Sequence, residues 1–174
     1  MPHPKTSARL AGASVLLFAV GLSLTGCAPA PTGRSISATE RQIESIPGVE
    51  NATVDATANL DGFTTYQSVD ITVEVSDGYQ VGDADAAIVW LAREAWSVGP
   101  RRPDSMGIYL EDSSGKPFNW GWKAALAKHG LDKPVIENVM PRLLPLAGTY
   151  MTSLTGKKWP GPMPKTPANL FVKG

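Results

Sequence analysis

Two alternating runs on either side of an Asp-Gly pair decide most of what this chain can fold into. In Asn51 to Leu60, Ala52, Val54, Ala56, Ala58 and Leu60 share one face, and Asn51, Thr53, Asp55, Thr57 and Asn59 share the other. In Phe63 to Val75, Phe63, Val69, Ile71, Val73 and Val75 share a face, with Tyr66, Ser68, Asp70, Thr72 and Glu74 opposite. Side chains alternate across a strand, and Asp-Gly between such runs signals a two-residue hairpin turn. With Asp61-Gly62 as the turn, Leu60 pairs with Phe63, Val54 with Val69 and Ala52 with Ile71, so the two apolar faces coincide. A one-residue slip would destroy that match. The expected unit is an antiparallel hairpin with one buried face and one wet face.

Around it the chain supplies helices. Ser37 with Glu40, or Thr39 with Gln42, has capping-box spacing for a short helix from Glu40 to Ile46, stopped by Pro47-Gly48. Asp83 suits the N-cap of a helix over Ala84 to Ser97, where Ala84, Ala87, Ile88, Leu91, Ala92 and Ala95 form an apolar stripe flanked by Trp90 and Trp96. Ser105 to Glu111 reads as a third strand with Met106, Ile108 and Leu110 inward. Asn119 is the expected cap of a second helix, Trp120 to His129, ended by Gly130. Beyond Leu131, prolines 134, 141 and 145 argue against long regular elements. From Lys157 the four prolines predict an extended or disordered tail.

The order helix, strand, strand, helix, strand, helix predicts an α+β fold: a small two-layer sandwich, with a mainly antiparallel sheet and helices on one face. That order, over residues 40–130, is similar to ferredoxin-like sandwiches and, more loosely, to the small envelope-associated BON domains. It carries over no functional residue.

The N-terminus points to a location. Lys5 and Arg9 precede an apolar run of 15 residues, Leu10 to Leu24, and small residues then lead to Cys27, the one cysteine of the chain. This is the layout of a secretory signal, with a run too short for a comfortable membrane span of roughly 20 residues. Leu24-Thr25-Gly26-Cys27 resembles the lipobox of bacterial lipoproteins. The resemblance implies that residues 1–26 are removed and that Cys27 carries the lipid, anchoring the protein on the extracytoplasmic face of the cell membrane. The alternative is an uncleaved anchor helix. Residues 27–39, with two prolines and a glycine from Ala28 to Thr39, read as a flexible tether, residues 40–130 as the domain, and residues 131–174 as an irregular Pro-rich extension.

Composition then excludes several roles. Without its first 26 residues the chain keeps 148 residues, 14 basic and 16 acidic, for a formal charge of −2. That size allows one domain with a core. The charge argues against a nucleic-acid partner. With Cys27 lipidated there is no thiol left for a disulfide, a Cys-ligated metal or nucleophilic catalysis.

Candidate chemistry is sparse. His129 is the single histidine after residue 26, and no G-x-S-x-G, H-E-x-x-H or S-x-x-K motif is read beside it. Asp83 and Asp85 fit a helix start better than a calcium loop. Asp55 with Asp70 or Glu74 could form a carboxylate pair of the glycosidase kind, against a solvated polar face as the plain alternative. Arg101-Arg102 could meet an anion or compensate a helix end. Trp120 and Trp122, within Phe118 to Lys123, form the least implausible recognition site, with at least one indole left accessible, against core filler for both as the plain alternative. The reading involves no cofactor and no metal. It favours a non-enzymatic binding or scaffold lipoprotein whose partner is an envelope protein or cell-wall component. A small envelope hydrolase is the alternative, and a two-lobed solute-binding lipoprotein fits the length less well.

Overall fold

The computed structural model describes residues 32–118, 120–131, 146–147, 149–156, 158–162 and 164–174. The fold is α+β. Helix α1 spans Ile36–Glu44, and the hairpin strands are β1 (Val49–Asp61) and β2 (Thr64–Val75). Strand β3 (Tyr79–Val81) and helix α2 (Ala84–Trp96) follow, then β4 (Ser105–Asp112) and α3 (Trp122–Lys128). The C-terminal part adds β5 (Leu146–Ala147), α4 (Thr149–Thr155) and β6 (Phe171–Lys173). One sheet has the order β1-β2-β4-β5, and β3 pairs with β6 in a second.

The hairpin forms with its faces as expected and its register shifted by two. Asp61 pairs with Thr64, Val54 with Ile71 and Ala52 with Val73. Gly62 and Phe63 are the central residues, and Gly62 sits at φ +59°. Glycine in the first central position is the type II′ solution, whereas Asp61-Gly62 as the central pair would have been type I′. A shift of two leaves every side chain on its face. Ala52, Val54, Val69, Ile71, Val73 and Val75 are buried, while Phe63 stands at the turn, fully exposed, instead of on the inner face.

Asp83 caps α2 as its sequence position suggested, accepting hydrogen bonds from the backbone N–H groups of Asp85 and Ala86 at 3.0 and 3.1 Å. The helix returns the chain to the end of the sheet where β2 began, so β4 runs parallel to β2, with Ser68 opposite Ser105 and Val75 opposite Asp112. The sheet is therefore mixed: its other two pairings, β1–β2 and β4–β5, are antiparallel. Met106, Ile108 and Leu110 face the core. Helix α1 packs on β1, and α2 packs on β2 and β4 while α3 and α4 cover its other sides. That is why Trp90 and Trp96 are buried along with the expected stripe.

Four boundaries differ from expectation. Helix α1 starts at Ile36, because Ser35 rather than Ser37 or Thr39 is the N-cap and its Oγ accepts from Ala38 N–H. Residues 33–34, expected within the tether, are fastened to the loop after α2. Gly33 N–H donates to Gly99 O at 2.8 Å, Arg34 N–H to Ser97 O at 2.6 Å, and Gly99 N–H to Arg34 O at 3.0 Å. The C-terminal extension is part of the fold: Met151, Leu154, Leu170 and Phe171 lie in the common core, and residues 171–173 pair with β3. Helix α3 begins at Trp122 with Gly121 as its N-cap; Asn119 lies outside the described residues.

Candidate functional site

The wet and dry ends of α2 organise the molecule's polar groups. At its C-terminal end Glu94 is fully buried. Arg34 donates from Nη1 to Glu94 Oε2 and from Nη2 to Gln42 Oε1 at 2.6 Å and Ala38 O at 3.1 Å. Gln42 Nε2 donates to Glu94 Oε1 at 3.0 Å. Burial outweighs the guanidinium and raises the Glu94 carboxyl to about 7. This clasp was missed in the sequence. The signal was there in part, since Glu94 lies four residues after Trp90 and three after Leu91, on the apolar stripe of the helix.

Beside the clasp a cleft of about 470 Å³ opens between the start of α1, the loop after α2 and the inner face of the hairpin. Thr32, Gly33, Ser35 and Ile36 form one wall, Ala56, Thr57, Ala58 and Gln67 another, and Gly99 and Pro100 the third. Among the described residues its one charged lining residue, Arg34, is already engaged by Glu94. The walls they form supply small apolar groups, hydroxyls and backbone, and none of these residues is a carboxylate or imidazole that could move a proton.

The residues singled out from the sequence do not gather in that cleft. Trp120 and Trp122 are each 7 % exposed and belong to the core, so neither indole is presented as a platform. The reason is the coverage that α2 needs on its far side from the sheet. Lys123 Nζ lies 5.4 Å from the Trp122 ring centre. Arg101 is exposed and reaches back to the hairpin, donating from Nη2 to Thr65 O, with Asp104 Oδ2 at 3.5 Å. The Arg102 guanidinium stands 6.0 Å from the Trp96 ring centre. Cys27 lies outside the described residues.

His129 Nε2 and Asp85 Oδ1 are 2.6 Å apart. They join the C-terminal end of α3 to the first turn of α2, where an acidic side chain suits the helix dipole. Asp55 and Asp70 face each other across β1 and β2 on the outer face. Burial first, and the Asp55 charge second, raise Asp70 above the usual carboxylate range; burial and then Asp70 raise Tyr109 nearby. Ser113 and Lys116 have S-x-x-K spacing, which the motif reading passed over. They sit in an exposed turn where Ser113 Oγ donates to Asp77 and Lys116 N–H to Asp112 Oδ1. Among the described residues no group of three or more His, Cys, Asp or Glu is placed to hold a metal ion. No helix among them is long and apolar enough to cross a membrane.

The fold and its cleft thus define an α+β domain with a mixed sheet, closed at one end by a buried ion pair. The chain matches no protein-family model, no curated protein and no solved structure.

Proposed function

We propose that this is a membrane-anchored extracytoplasmic lipoprotein, held by lipid on Cys27, whose domain binds an envelope protein or cell-wall component without chemical turnover. The anchor rests on the basic start, the apolar run of Leu10 to Leu24 and the Leu-Thr-Gly-Cys sequence. The observation that carries the binding role is the cleft, which has apolar and hydroxyl walls but no free acid or base.

Fractionation and intact-mass analysis test the anchor. The membrane form should lack residues 1–26 and carry lipid on Cys27, and Cys27→Ala should release the chain or leave the precursor. Ala58→Arg tests the cleft from an exposed strand position. Retention on wall fragments, or on a defined envelope partner, should fall without a change in thermal midpoint.

A small envelope hydrolase is the second reading, favoured by the facing Asp55 and Asp70. It requires release of soluble fragments from wall material, abolished by Asp70→Asn. Binding without release, unaffected by that substitution, excludes it.

A further inference from the structure

Among the described residues, the large apolar side chains left exposed are Ile36, Leu60, Phe63 and Tyr66. All four lie at the end of the molecule where the clasp and cleft are. The sheet explains the geometry. Strand β4 begins opposite Ser68, so the four pairs from Ala58–Gln67 to Asp61–Thr64 extend beyond it as a two-stranded arm. Four rises of about 3.4 Å carry Asp61 and Thr64 roughly 14 Å past the start of β4. Contacts on the arm among the described residues are confined to Gln67, which is buried and bonded to Asp104, and to Thr65, whose carbonyl accepts from Arg101, so they give no structural need for Leu60 and Phe63 at its end. Phe63 is fully exposed and Leu60 is 73 % exposed.

We propose that this arm is a membrane-seating element: Phe63 and Leu60 enter the bilayer interface beside the lipid on Cys27, and Tyr66 lies at headgroup level. The inference rests on the lipid anchor proposed above. Chain length selects a lipid surface as the occupant. Thr32 lines the same cleft as Ala58, and four residues lie between it and Cys27, five Cα steps that reach at most ~18 Å. That reach exceeds the projection of the arm, so an anchored Cys27 and the hairpin turn can meet the same plane. Arg101, joined to Thr65 opposite Leu60, and Arg102 beside it offer cations to lipid phosphates, while Asp61 at the tip favours a shallow seat. Apolar and aromatic residues at an interfacial tip, with basic residues behind them, are the arrangement that a bilayer boundary rewards.

The test uses the exported, full chain in vesicles of phosphatidylethanolamine and phosphatidylglycerol. Lipidation blocks the Cys27 sulfur, so Phe63→Cys provides one free thiol for an environment-sensitive dye. Lys128→Cys, exposed at the far end of the domain, is the reference. The dye at position 63 should brighten, shift to the blue and be quenched by lipids spin-labelled near the headgroup; the dye at 128 should report water. A lipidated chain with position 63 in water overturns the seating and leaves the anchor intact. Self-quenching between copies at position 63, without quenching by labelled lipid, assigns the tip to a second copy and also overturns it. A chain whose mass shows unmodified Cys27 removes the anchor and the seating with it. Thermal midpoints equal to that of the parent chain exclude misfolding of the labelled variants.

Discussion

Glu94 offers the sharpest test of how the fold is closed. Its carboxyl is fully buried and, held up by that burial against Arg34, titrates at about 7 rather than near 4.5. The unfolded chain gives the carboxyl its ordinary value. Between the two, the native chain keeps the proton that the unfolded chain has released. Stability from this group is therefore fully present below about pH 4.5 and is lost as pH rises through about 7. The gap corresponds to about 3 kcal/mol. Glu94→Gln preserves the shape of the neutral carboxyl and cannot titrate. Urea unfolding followed by tryptophan emission, from pH 4.5 to pH 8, should show the parent weakening relative to this variant by about 3 kcal/mol. Arg34→Met supplies the complement. It should cost little at pH 5, where Glu94 is neutral, and up to about 1.4 kcal/mol more at pH 8, because without the guanidinium the buried carboxyl keeps its proton where the parent ionises. Parallel pH curves for the parent and Glu94→Gln would refute the reasoning. So would a parent that gains on the variant as pH rises, since the Arg34 attraction would then outweigh burial.

Other consequences are simpler to measure. Gly33→Ala should lower the thermal midpoint, because its Cβ would collide with the carbonyl oxygens of Ser97 and Gly99; a midpoint equal to the parent's would mean that residues 33–34 do not hold that position in solution. Val69→Asp or Ile71→Asp should destabilise by several kcal/mol in urea, each placing a charge in the core, while Thr72→Asp on the outer face should cost under about 1 kcal/mol; equal effects on both faces would contradict the burial pattern. Asp55→Asn removes a like charge directly opposite Asp70 and should stabilise at neutral pH by about 0.2–1 kcal/mol, with Asp70 returning towards the ordinary carboxylate range in an NMR titration.

The elements that local chemistry determines were legible in the sequence. Asp83 and the i, i+3, i+4 stripe located α2 to within a residue, and alternation assigned the inner and outer faces of the hairpin. The register shift shows where that reasoning stops. Asp-Gly admits a type I′ turn with glycine second or a type II′ turn with glycine first, and both keep the faces intact. Strands β3 and β6 have three residues each, too few for a period, and their pairing crosses most of the domain. Spacing left the tryptophan pair between a recognition site and core filler because it says nothing of what covers α2; both indoles lie in the core. Thr32-Gly33-Arg34-Ser35 has the composition of a linker, and nothing local reveals that Arg34 finds a buried carboxylate 60 residues later.

That last contact decides how the domain would stand on a membrane. Had residues 28–39 been free, the distance from Cys27 to the first helical turn could reach ~43 Å, and the orientation of the domain would be independent of its fold. With residues 33–34 bound to the loop after α2 by three backbone hydrogen bonds and the Arg34–Glu94 pair, five Cα steps remain between Cys27 and Thr32 and the reach falls to at most ~18 Å. Gly99, in that loop, abuts Gln67 at the base of the arm, so the exit of the chain and the direction of the hairpin are set by one rigid contact. Inserting twelve Gly and Ser residues between Ala30 and Pro31 separates these effects. Attachment to membranes should be unchanged because the lipid supplies it. The dye at position 63 should lose most of its quenching by labelled lipid, since the insertion raises the reach to roughly three times its former value. Undiminished quenching would show that the tip holds the bilayer by its own affinity, and that the short tether contributes nothing to the orientation.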